Sequence, residues 1–353
     1  MAIEMWVLAT VVLGLTLYAV LGGADFGAGV WEFNTGLRAS DRQRALIYRA
    51  IGPVWEANHV WLIFVIVVMF TAFPTAFAGI SRALWLPLLL ALAGIVFRGA
   101  AYAFHTHSPG APQQQAAWNA LFALASTMTP FFLGASVGAV AKGKLGVDAQ
   151  GGFDGDYLTG WVSWLSLFTG FFTTGMCAYL AAVYLAREAQ GDAELAPLWR
   201  RRALAVGVLT GVFAVAGLGI VAVDAPDLGL ELRRRGWPLV ALSLVAGFLS
   251  LAAVWRRRLR MASFGASTTV STVIWGWMAA QYPYLLPPSI SIQSAKAPDG
   301  VLRALLWVAV IGSLLIAPAL AWLLYLFKVS RAKPDMRTPV SAVPSKTTSP
   351  RGG

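Results

Sequence analysis

Three ionisable residues stand inside long apolar runs: Asp25, Glu56 and Arg98. Charge held in hydrocarbon is costly and is retained for a partner or for work. Two carboxylates can take up and release protons, and a guanidinium supplies a fixed positive charge beside them. Asp25 lies in LGGADFGAGVW, residues 21 to 31, between Gly23 and Gly27, a GxxxG step that lets a second helix approach closely. Glu56 lies in IGPVWEANHVWLI, residues 51 to 63, one turn from Asn58 and His59. Arg98 lies in GIVFRGAAYAFH, near the end of its own apolar block.

Each residue also has a structural reading. Asp25 could be a hydrated acid beside a packing seam, and Glu56 a good acid for a first helical turn, following Pro53 and flanked by the anchor Trp55. Arg98 could close a structural ion pair that is costly to break. Against the capping account of Glu56, the cluster of Glu56, Asn58 and His59 holds more polar functionality than a cap needs and suits a hydrogen-bonded chain for protons. His59 is the one histidine set deep enough in a helix to ligate haem iron, although a lone helical histidine is more often bonded to a neighbour. His105 and His107 are spaced too weakly to imply a metal. Cys177 is the single cysteine and sits in an apolar block, so neither an internal disulfide nor a cysteine metal site is expected. No phosphate-binding glycine loop, nucleophile elbow or zinc helix motif occurs.

The elements that must carry these residues follow from composition. With 58% hydrophobic and 12% charged residues, the chain falls outside the range of soluble globular proteins and reads as an all-α integral membrane protein. At about 20 apolar residues per crossing, about nine spans are expected, or eight if one weak segment is re-entrant, near 5–32, 54–74, 83–104, 117–141, 158–186, 203–223, 237–255, 262–282 and 302–327. The net charge of +11 comes from short segments between apolar blocks, a topology signal and not a nucleic-acid surface. Most Lys and Arg fall on one side if the N-terminus is outside and the C-terminus cytoplasmic; Arg233 to Arg235 run against that pattern. The first apolar stretch lacks a basic leader and a cleavage site and reads as a retained helix.

A faint repeat is visible in hydropathy and charge. Residues 1–141 and 158–282 would each form a four-helix bundle, with 302–327 as one additional helix, making 1–328 a polytopic domain. The tail 329–353, rich in Ser, Thr, Pro, Lys and Arg, is expected to be a disordered cytoplasmic segment. This topology places Asp25, Glu56 and Arg98 at similar depth on one side. Two repeats with acids at a helix interface also describe secondary transporters, which remain an alternative.

LGGADFGAGVW, IGPVWEANHVWLI, FRGAAYAF and YPYLLPPSISI, in that order, resemble subunit II of the cytochrome bd-type quinol oxidases, over residues 1 to about 328. The resemblance implies a subunit of a prokaryotic inner-membrane complex that oxidises quinol and reduces oxygen to water. It implies that haem b and haem d belong to a partner, subunit I, and that no haem is held by ligands of this chain. It leaves room for a bound quinone and a small accessory subunit, and implies no nucleic-acid partner. It implies that Asp25 and Glu56 belong to a proton path from the cytoplasm, with Trp55, Asn58, His59 and Arg98 as the polar cluster around it. The chain departs from the family pattern at three places. Gly22 stands where a further Asp is frequent, Trp55-Glu56 replaces the usual Trp-Asp pair, and His105 stands where Arg is common.

Overall fold

The computed structural model describes residues 2–35, 41–51, 55–107 and 111–332. The chain is helical almost throughout, as an all-α membrane protein should be. In order come α1 (Ile3–Leu17), a π-helical turn (Tyr18–Gly22), α2 (Gly23–Thr35), α3 (Asp41–Ile51), α4 (Trp55–Ala72), α5 (Pro74–Ala83), α6 (Trp85–His107) and α7 (Pro112–Lys142). Then follow α8 (Trp164–Glu188), α9 (Leu195–Asp224), α10 (Pro226–Glu231), a second π-helical turn (Leu232–Gly236), α11 (Trp237–Trp255) and α12 (Leu259–Gln281). A short antiparallel hairpin, β1 (Tyr284–Leu286) and β2 (Ile290–Ser291), precedes α13 (Ile292–Ala295) and α14 (Asp299–Ala332). The chain divides into two compact units, Met1–Ala309 and Val310–Gly353. In the second, the described residues are helical to Ala332; the tail expected from 329 lies almost wholly outside the described residues.

Among the described residues, seven helical stretches are long and apolar enough to cross a bilayer, and eight if the bent pair Asn58–Ala72 and Pro74–Ala83 is one span. The expected ninth, residues 262–282, is the 23-residue α12, which falls short in hydropathy because of its Ser and Thr content. Its hydroxyls are satisfied within the helix: Ser263, Thr268, Thr269, Ser271 and Thr272 each donate to the carbonyl four residues back. The expected span 54–74 ends in a break of 119°. Pro74 disfavours the α conformation for the residue before it, and Phe73 sits at φ −134, ψ 58.

Packing centres on α8, which meets α2, α7, α9 and α12. A Ser163–Ser166 capping box starts α8, and its residues Cys177 to Val183 are all buried. Small residues bring its neighbours in. A Cβ on Gly27 would stand 1.8 Å from the Cys177 carbonyl oxygen, and one on Gly134 would stand 2.4 Å from Thr173 Oγ1. A Cβ on Gly138 would stand 2.0 Å from Thr169 Oγ1, whose hydroxyl is returned to the Leu165 carbonyl of its own helix. Gly143, at φ +70, ends α7, a left-handed cap that glycine adopts without strain.

Candidate functional site: a buried ion pair beside a π-helical turn

The π-helical turn adds a residue just before α2 and sets the direction in which Asp25, in the first turn of that helix, enters the protein. Asp25 points at α6, where Arg98 Nη2 donates to its carboxylate Oδ1. The two side chains are 2% and 1% exposed, so this is a fully desolvated pair and not a surface bridge. The same nitrogen lies 3.4 Å from the Asp25 carbonyl oxygen, and Arg98 Nε donates to Ser126 Oγ on α7 at 3.0 Å. Phe26 and Phe122 flank the guanidinium, their ring centroids 4.9 and 5.2 Å from Cζ. Ser126 is itself fixed by close approach of α2, because a Cβ on Gly29 would lie 2.2 Å from it.

Asp25 and Arg98 therefore meet, as their shared depth suggested. Asn58 joins them from α4: it is buried and donates to the Leu21 carbonyl at 3.3 Å, one of the π-turn residues. His59 packs edge-on against Phe26 and tilted against Tyr18, with ring centroids 6.1 and 6.3 Å away. Glu56 and Trp55 fall in the first turn of α4, but their side chains lie outside the described residues. Among the described residues, three buried polar atoms near the pair have no protein partner: Asp25 Oδ2, Tyr18 Oη and His59 Nδ1. Tyr18 and His59 both lie within electrostatic reach of Asp25 and Arg98.

A second polar layer, not singled out from the sequence, lies farther along α2. Buried Glu32 accepts from Arg44 Nε on α3 at 2.9 Å. Tyr48 donates to Asn119 Oδ1 at 2.9 Å and stacks on His105, with centroids 4.2 Å apart. Burial, and next the nearby Glu32, push the Tyr48 hydroxyl pKa up, which keeps it a donor. Arg202 turns inward over Trp31 and Trp199, 5.4 and 4.6 Å from their centroids. The available signal was Glu32 at seven residues from Asp25, the same face two turns on; Arg44 and Arg202 were hidden among arginines read as topology markers.

Among the described residues no group of three or more His, Cys, Asp or Glu is arranged to hold a metal. A cavity of about 490 Å³ lies among α1, α4, α7, α8, α9 and α12, lined mainly by aliphatic side chains. Among the described residues no histidine lines it, and His59 is packed between Tyr18 and Phe26. Tyr18, Trp277 and Gln281 do line it, and each carries a buried polar atom without a protein partner.

Comparison with known proteins identifies related chains. The family model described as cytochrome bd terminal oxidase subunit II matches residues 3–327. Cytochrome bd ubiquinol oxidase subunit 2 of Bacillus subtilis is 25% identical over 72% of this chain and 72% of its own length. Cytochrome bd-I ubiquinol oxidase subunit 2 of Escherichia coli K12 is 24% identical, covering 90% of this chain and 91% of that one. The structure of bd oxidase from Geobacillus thermodenitrificans contains a chain of the same fold, with TM-score 0.78 and 23% identity, covering 93% of this chain and 99% of that one.

Proposed function

The chain belongs to the cytochrome bd terminal oxidase subunit II family, and from that premise we propose that it is the scaffold half of a quinol-oxidising, oxygen-reducing membrane complex and carries part of its proton route. Membership makes it a subunit of a bd-type oxidoreductase with a partner subunit I, and selects the oxidase reading over a transporter. In this reading the chain is noncatalytic, the haems belong to subunit I, and the N-terminus is outside with the C-terminus cytoplasmic. The repeat of 1–141 and 158–282 is the trace of two bundles. If a quinone binds here, the apolar cavity suits its tail, and the O–H of Tyr18, the N–H of Trp277 and the amide of Gln281 suit its polar head.

The observation that carries the proton route is the set of three unpartnered buried atoms around one ion pair: Asp25 Oδ2, Tyr18 Oη and His59 Nδ1. Buried polar groups are almost always bonded, so three together beside a carboxylate suit a place where protons pass and partners change. Arg98 keeps Asp25 Oδ1 occupied and leaves Oδ2 for that traffic. Glu56, two residues before Asn58, is the acid that would pass protons toward it. Asn58 holds the π turn in position through the Leu21 carbonyl.

Glu56→Gln in the purified complex tests the route. Quinol oxidase turnover should fall at least tenfold, while the haem spectrum and subunit content remain as in the unaltered complex. Unchanged turnover would remove Glu56 from the route; loss of haem and partner would make it structural.

A further inference from the structure

Two arginine segments far apart in sequence converge at one end of the bundle. Arg200 and Arg201 lie in the second turn of α9, and Arg256, Arg257, Arg258 and Arg260 lie at the turn from α11 into α12. Arg200 joins them: its Nε donates to the Val254 carbonyl at 3.1 Å and its Nη2 to the Trp255 carbonyl at 2.8 Å. It thereby satisfies the Trp255 carbonyl, which the end of α11 would leave open, and adds a second donor to the Val254 carbonyl. The turn is tight. The amides of Arg257 and Arg258 return to the carbonyls of Val254 and Ala253, and Arg257 adopts φ +60, a left-handed conformation that side-chain-bearing residues rarely take.

The result is a fixed platform of exposed cations. Arg201, Arg256, Arg257, Arg258 and Arg260 are all exposed, and among the described residues none of them makes an ion pair. Directly beside them are large exposed apolar side chains: Trp255 at 68%, Met261 at 58% and Phe264 at 76%. Phe248, two turns before Trp255 on the same face of α11, is 72% exposed. Arg260 and Phe264 are one turn apart on one face of α12.

We propose that this platform is a headgroup site for an anionic phospholipid, with the acyl chains lying along the Phe248–Trp255 and Met261–Phe264 surface. A topology signal needs only enough positive charge on one side. It does not need two segments pinned together, nor an apolar stripe ending at the cations. A phosphodiester needs both: guanidinium forks for its oxygens and an apolar surface one turn deeper for its chains.

The test uses the intact oxidase complex in mild detergent, with native mass spectrometry of bound lipid during titration with phosphatidylglycerol or phosphatidylcholine. The variant Arg256→Gln/Arg258→Gln/Arg260→Gln leaves Arg200 in place. A control variant, Lys144→Gln/Arg233→Gln/Arg303→Gln, removes the same charge elsewhere. Each arginine near an anionic surface contributes about fivefold, so phosphatidylglycerol affinity should fall on the order of a hundredfold in the first variant and stay within about twofold in the control. Retention equal to the unaltered complex, equal loss in both variants, or equal binding of phosphatidylcholine would overturn the site. If the first variant does not assemble, the unaltered complex decides. It must prefer phosphatidylglycerol and lose that preference at high salt, and no preference rules the site out.

Discussion

Gly27 of α2 lies directly on the Cys177 carbonyl of α8, close enough that a Cβ would stand 1.8 Å from the oxygen, while Gly23, one turn earlier, has its nearest neighbour, Cys177 Sγ, at 3.4 Å. The GxxxG step is therefore asymmetric. One glycine is obligatory and the other is merely well packed, and Asp25 sits between them.

Gly27→Ala should separate α2 from α8 and cost about 3 kcal/mol or more through overpacking against backbone that cannot yield. Gly23→Ala should cost less than about 1 kcal/mol. Thermal unfolding of the two purified variants, followed by loss of helical signal, distinguishes them. Equal midpoints would mean that α2 and α8 do not pack as described.

The Asp25–Arg98 pair makes an opposite kind of prediction. Removing one partner alone, by Arg98→Met or Asp25→Leu, strands a buried charge and should cost about 3–5 kcal/mol. The double variant should recover most of that stability. Additive losses in the double variant, measured by thermal midpoint, would show that the two residues do not act as a pair.

Tyr18 separates structural from functional polarity. Its hydroxyl is buried without a protein partner, so Tyr18→Phe removes a group whose desolvation is uncompensated and should leave stability unchanged or raise it by about 1 kcal/mol. If the hydroxyl belongs to the proton route, turnover falls severalfold in the same variant. Stability lost along with turnover would indicate an unrecognised bond to that hydroxyl.

Asp192 gives a pH dependence. Its carboxylate is held below the usual range chiefly by the backbone amide of Leu195, then by that of Glu194 and by Arg42. A depressed folded-state pKa contributes stability that is present above the unfolded value of 3.8 and is lost as pH falls through the lower folded value. The gap in thermal midpoint between the unaltered protein and Asp192→Ala should be constant from pH 7 to about 5 and close in stronger acid. A gap that does not change down to pH 3 would contradict this.

The sequence made the Asp25–Arg98 meeting legible because isolated charges in apolar runs have few partners to choose from. It also located the C-terminal ends of α6, α7 and α8 to within three residues, whereas α7 starts five residues before the expected 117 and α8 six after the expected 158. Two things were hidden. Arg44 and Arg202 sit among arginines that hydropathy reads as sidedness signals, although one pairs with buried Glu32 and the other lies against two indoles. The direction of α5 depends on the single backbone departure at Phe73. The helix at 262–282 was legible as α12, but its hydropathy falls short of a crossing because hydroxyls bonded within the helix count as polar.

The turned helix α5 has a wider consequence. Its Gly79 faces Val147 and the hairpin residues Leu286 and Ile290; Arg82 donates to the Gly151 carbonyl, and Ser289 to that of Val147. Helix, loop and hairpin are thus laced into one apolar plug. A membrane that stores work as voltage is only as good as its insulation, and each protein in it is a potential short circuit. Beneath it lie the packed side chains of Ala72, Phe73, Ala76 and Leu84, where an ion would have to shed its water, so the plug is a dielectric barrier at this end of the chain.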